Sequence, residues 1–166
     1  MILINRLTKS VGAIIMGIFV LSSTLLGQES QAEATKKAKS EMKETLGTVP
    51  IMIEEYPDHL QAGAWEWFKA TLSPEAAIPS KYAQLISLGV AAQIPCDYCV
   101  YAHTTMAKML GATEEEIKGA IANAANTRHW STVLNGADPD LKEFKKEWDG
   151  IVEHMKNRME AKEASD

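Results

Sequence analysis

Pro95 interrupts a helical apolar pattern and delivers both cysteines of the chain to the start of the next one. Before it, Leu85, Ile86, Leu88, Val90, Ala91 and Ala92 form a run that is apolar nearly all round, the pattern of a helix buried on most sides. After it, Cys99, His103, Met106 and Leu110 recur at i, i+4, i+7 and i+11, one face of a second helix that Gly111 ends. Proline cannot continue a helix running into it but suits the entry to a new one. Two helices must therefore meet at Pro95, with Cys96 at or beside the first helical position and Cys99 one turn in.

The remaining segments contain no strand candidate, so the domain is predicted to be all-α. Thr48 to Tyr56 is a short apolar piece ending before Pro57. Leu60, Ala64, Trp67 and Phe68 repeat at helical spacing, which places Trp67 in the core. Ser73 to Pro79 is a linker with two prolines. Pro79 opens a helix to about Gln93, in which Gln84 shares a face with Leu88 and Ala91 and points its amide toward the cysteines. Thr113-Glu114-Glu115-Glu116 is a capping box, and Ile117, Gly119, Ala120, Ile121, Ala124 and Ala125 make a small-residue face for close packing. This pattern continues to Asn135-Gly136. Asp138 then reads as an N-cap, with Pro139 as the first residue of a last helix. Leu141, Phe144, Trp148, Ile151, Val152 and Met155 trace its apolar stripe, and Glu160 to Asp166 is a polar tail.

The first 32 residues read as an export signal rather than as part of the fold. Arg6 and Lys9 give a positive start, Val11 to Leu26 is apolar, and Ser30-Gln31-Ala32 supplies small residues for cleavage near Ala32. The expected location is therefore periplasmic or extracellular, where disulfides persist. A retained anchor is the alternative. Glu33 to Leu46 is polar and rich in Lys and Glu, a solvated helix or a mobile arm closed by Gly47. The segments are then 1–32 as signal peptide, 33–75 as an N-terminal helical segment, 76–136 as the core, and 137–166 as C-terminal helix and tail. A net charge of −5 without a basic stripe makes nucleic acid an unexpected partner.

The cysteines carry the chemistry. A helix start stabilises an anion, and a C-x-x-C pair there commonly has a lowered thiol pKa. His103, one turn beyond Cys99, can take its proton or hold its thiolate as an ion pair. Cys96 can then attack oxidised Cys99 and close a disulfide. Two other readings use the same residues: a structural bridge, which would constrain the unfolded chain little because its loop is so short, and a zinc site completed by His129 or an acidic residue. Covalent haem attachment requires C-x-x-C-H, and Val100 follows Cys99. No cofactor is expected.

Three pieces together resemble the carboxymuconolactone decarboxylase-like superfamily, and within it the alkylhydroperoxidase AhpD-like branch. They are Lys81 to Ala92, then Cys96-Asp97-Tyr98-Cys99 with His103, then Gly111 to Ile117. The resemblance spans residues 76–136. It implies a helical bundle with C-x-x-C at the N-terminus of a central helix, assembled as a trimer or larger. It also implies an antioxidant oxidoreductase that is a peroxidase with a redox-active dithiol, acting on a hydroperoxide or disulfide and recharged by an external thiol. By that resemblance Cys99 reacts with peroxide, Cys96 resolves, and His103 relays the proton. Gln84 stands where the family often has a glutamate, and Tyr98 where a relay histidine sometimes stands. An amide orients its neighbour but does not shuttle a proton, and a phenol near pKa 10 is a poor relay. Thiol–disulfide exchange survives both departures better than rapid peroxide turnover does.

Overall fold

The computed structural model describes residues 31–164, and among these no strand occurs. Helix α1 covers residues 31–46, followed by α2 (Ile51–Glu54), α3 (Asp58–Leu72), α4 (Ser80–Gln93), α5 (Asp97–Met109), α6 (Glu114–Ala137) and α7 (Leu141–Glu163). The expected export signal lies outside the described residues, apart from Gln31 and Ala32 in α1. Among the described residues no helix is long and apolar enough to cross a membrane. The chain divides into two compact units, one ending at Ser80 and one beginning at Lys81.

In the first unit the polar 33–46 stretch is a helix with a buried face. Thr35, Ala38 and Met42, at i, i+3 and i+7, turn inward, and Gly47 ends the helix with φ 79°. Ala38 and Met42 pack with Ile53 and Trp65, and Val49, Ala62, Ala64 and Phe68 surround them. Trp65 stacks on Phe68 at 5.7 Å between ring centroids. The core tryptophan is thus Trp65, only 2% exposed, and not Trp67, which is 74% exposed. The inward stripe of α3 is Gln61, Trp65 and Phe68. At about 3.6 residues per turn, Trp67 falls roughly on the opposite side from Trp65. Gln61 is tolerated inside because its Nε2 donates to Tyr56 O at 2.8 Å and to Asp58 Oδ1 at 3.2 Å.

In the second unit α4 buries Gln84, Leu88, Gly89 and Ala91. Gly89 matters for the approach of α6, since a Cβ built there would lie 3.4 Å from Ala124 Cβ. Gln93 Nε2 donates to Ala124 O at 2.9 Å across the same contact. The expectation that α4 is covered on most sides does not hold within this chain. Ile86 and Val90 are both more than half exposed, because among the described residues no element covers their face.

The capping box of α6 is formed in full. Thr113 Oγ1 accepts from Glu116 N at 3.1 Å, and Glu116 Oε2 accepts from Thr113 N at 2.8 Å. The other oxygen of Glu116 takes Lys81 Nζ at 2.7 Å, tying the start of α6 to the start of α4. Thr113→Ala removes the cap, and we expect a loss of about 1 kcal/mol in stability, read as a lower urea midpoint at unchanged m-value.

Helix α6 runs through Gly136 to Ala137. Asp138 does not cap the last helix but closes α6 in the left-handed region (φ 47°), where the short polar side chain of Asp is tolerated. Asp140 is the N-cap of α7, its Oδ1 accepting from Glu143 N at 2.8 Å. The expected polar tail is helical through Glu163. None of α7 is buried, so its apolar stripe is uncovered among the described residues.

Candidate active site

The break at Pro95 sets the site. Cys96 N donates to Ala91 O at 3.2 Å, a bond that closes α4, and Val100 N donates to Cys96 O at 2.9 Å, a bond that opens α5. Cys96 is thereby the N-cap of α5, in extended conformation, and Cys99 is the third residue of that helix. The two sulfurs are joined in a disulfide, with 5.3 Å between the Cα atoms. Cys96 Sγ accepts from Cys99 N at 3.2 Å. The cap site thus puts one of the helix's unpaired N–H donors on the Cys96 sulfur. In the reduced state the same donor and the helix dipole favour a thiolate there. Both cysteines are half-buried.

One turn beyond Cys99, His103 is half-buried, and its Nδ1 lies 2.8 Å from Gln84 Oε1. An amide oxygen only accepts, so the bond places the imidazole proton on Nδ1 and leaves Nε2 with a free lone pair. Gln84 itself is 4% exposed and shares the buried face of α4 with Leu88 and Ala91. Burial pulls the His103 pKa below its usual 6.5, so the ring is neutral at pH 7. Of the residues singled out in the sequence, Cys96, Cys99, His103 and Gln84 converge here. Tyr98 does not. It is 90% exposed and its side chain makes no hydrogen bond among the described residues, because its position on α5 is a quarter-turn or more off the Cys99–His103 face. His129 also stands apart, exposed on α6 with its ring edge-on to Trp130 at 5.1 Å. Among the described residues no group of three or more His, Cys, Asp or Glu is placed to hold a metal ion.

The chain matches the carboxymuconolactone decarboxylase family over residues 55–139, half its length. It belongs to that family. The match begins in the approach to α3, ahead of the 76–136 stretch, and ends just after α6. Among solved structures, this family member is similar to the alkylhydroperoxidase AhpD core from Rhodospirillum rubrum ATCC 11170. The two are 20% identical with a TM-score of 0.58, over 71% of this chain and 90% of that one. At that identity the likeness establishes a shared AhpD-like fold. No curated protein matches the chain.

The state of His103 has a measurable consequence. Below pH 6.5 an unfolded chain's histidine takes up a proton that the folded chain resists until lower pH. Protonation in that window therefore favours unfolding, and stability falls as pH drops through it. We expect urea midpoints to decline between pH 7 and pH 5.5, and His103→Gln to flatten that decline. Gln84→Glu puts a carboxylate on the Nδ1 proton and should raise the His103 pKa, as followed by NMR titration of the imidazole; an unmoved titration would mean that the pair does not form in solution.

Proposed function

We propose that this family member is a thiol-dependent peroxidase that reduces a hydroperoxide with the Cys96–Cys99 dithiol. The observation that carries the reading is the orientation of His103, whose Gln84 contact turns a proton-accepting Nε2 away from Gln84 on the helix face that carries Cys99. The Cys99 thiol gives its proton to Nε2, and the thiolate attacks the terminal oxygen of the O–O bond. That bond breaks, an alcohol leaves with the proton, and Cys99 becomes a sulfenic acid. The Cys96 thiol loses its proton to solvent, and its thiolate, favoured by the cap donor, attacks the Cys99 sulfur. The S–S bond forms as the S–O bond breaks, and the departing hydroxide takes up a proton from solvent to leave as water. Two equivalents of an external thiol then reduce the disulfide through a mixed disulfide and are themselves oxidised to one disulfide.

The test is oxidation of the reduced chain by an organic hydroperoxide, followed by thiol trapping. One Cys96–Cys99 disulfide should form per hydroperoxide consumed, faster than in Cys–x–x–Cys peptides. Oxidation no faster than in such peptides would overturn the reading.

A second reading, thiol–disulfide oxidoreductase, is favoured by the Gln84 amide, since exchange needs a poised dithiol but no second proton carrier. The reduction potential separates both redox readings from a structural staple. A value above about −250 mV marks an exchange-competent pair, and one below about −300 mV a bridge that glutathione does not reduce. Export after cleavage near Ala32 belongs to the same proposal and is supported by the signal pattern alone. Assembly as a trimer or larger also belongs to it, and the uncovered apolar faces of α4 and α7 support it.

A further inference from the structure

The first unit contains an open groove of about 830 Å³ that plays no part in the redox chemistry. Lys36, Lys39 and Lys43 line one wall, spaced i, i+3 and i+7 on α1, and Asp58 and His59 at the start of α3 line the other. Among the described residues none of the three lysines has an ion-pair partner. On α1, Glu41 is taken by Lys69 at 2.7 Å. The one carboxylate in the groove, Asp58, accepts from Gln61 Nε2 at 3.2 Å. A chain with a net charge of −5 thus gathers unpaired cations in a concavity. Like charges three and four residues apart mildly destabilise a helix, and Asp58 is the single carboxylate set against them among the described lining residues.

The dimensions and charge select the ligand. The volume falls in the range of small-molecule sites, about 300–1,000 Å³. Three ammonium groups spread over about 10 Å of helix, at 1.5 Å per residue, match a group carrying several negative charges rather than a single carboxylate. Lysine binds phosphate as a point charge and needs no planar geometry from its ligand. We propose that this groove binds a phosphate-bearing anion through Lys36, Lys39 and Lys43, either a free diphosphate or the headgroups of an anionic lipid surface. The site lies wholly within the first unit and stands or falls independently of the peroxidase reading.

The test uses the full chain with two probes: inorganic pyrophosphate by calorimetry, and co-sedimentation with phosphatidylglycerol/phosphatidylcholine vesicles against phosphatidylcholine alone. Two variants carry the same charge change, K36Q/K39Q/K43Q in the groove and K142Q/K145Q/K146Q on α7. Five of these six lysines are exposed and Lys39 is half-buried, and Lys→Gln barely alters helix propensity, so both variants fold. We expect binding of at least one probe. The groove variant should weaken it roughly tenfold or more, on the scale of a lysine at an anionic surface, and the α7 variant less than twofold. Binding of pyrophosphate alone marks a soluble ligand, and binding of anionic vesicles alone marks a headgroup. Binding of neither probe, or equal loss in the two variants, overturns the proposal.

Discussion

Cys99→Ser is expected to reduce hydroperoxide consumption, in the presence of an external thiol, to the uncatalysed background. A free thiol near pKa 8.5 is already a few per cent thiolate at pH 7, and an imidazole one turn on can take its proton. A serine hydroxyl has no comparable anion and forms no sulfenic acid, so neither the attack nor the ring closure with Cys96 remains. Cys96→Ser has a different signature. Cys99 is still oxidised, but its sulfenic acid has no partner within the chain, so consumption stops near one equivalent unless an added thiol resolves it. Mass spectrometry after dimedone treatment should then find the adduct on Cys99. Multiple turnover in Cys99→Ser would sink the assignment of that residue, and an adduct on Cys96 in the wild-type chain would reverse the two roles.

The largest loss of stability is expected from Trp65→Ala. Trp65 is 2% exposed, stacks on Phe68 and closes the core against Ala38, Met42 and Ile53. Removing a buried tryptophan forfeits its transfer energy and leaves a cavity, together about 3–5 kcal/mol. That is a large share of the total for a domain of this size, typically about 5–15 kcal/mol. Urea unfolding should show a much lower midpoint, or a first unit that no longer folds. Trp67→Ala is the matched control. Its ring is in solvent, and its loss should move the folding free energy of the chain by no more than about 0.5 kcal/mol. Equal effects from the two substitutions would contradict the packing of α3.

These two tryptophans also show where sequence reasoning reaches its limit. The all-helical class, the break at Pro95, the cap at Thr113 and the placement of Gln84 on the face of Leu88 and Ala91 are local or periodic signals, and they are legible in the chain. Gln84 and His103, nineteen positions apart, meet because each lies on a face already fixed by its own helix. Trp65 and Trp67 are not separable in this way. Both belong to an apolar stretch, and the stripe that turns inward includes Gln61, a residue that the pattern counts as outward until its amide is seen to be bonded. Asp138 and Asp140 flank one proline, and either composes a plausible cap; only backbone geometry assigns the role to Asp140. The lysines of α1 read as solvated polar residues, because a groove is formed by two helices and is not a property of either one. The exposed face of α4 has a related cause: hydrophobicity states what a surface prefers and does not supply a neighbour.

The contact between Gln84 and His103 also fixes the traffic of hydrogen ions at the cysteines. A ring flanked by a carboxylate has two doors, one nitrogen receiving and the other passing on. Here the Nδ1 side is shut by an amide that neither gains nor gives up a proton at neutral pH. Whatever enters at Nε2 must leave at Nε2, so the entry has to be vacated before the next event can use it. The imidazole then behaves as a single-berth dock rather than a wire: in the proposed cycle the proton taken from Cys99 goes out again through the same atom, with the departing alcohol.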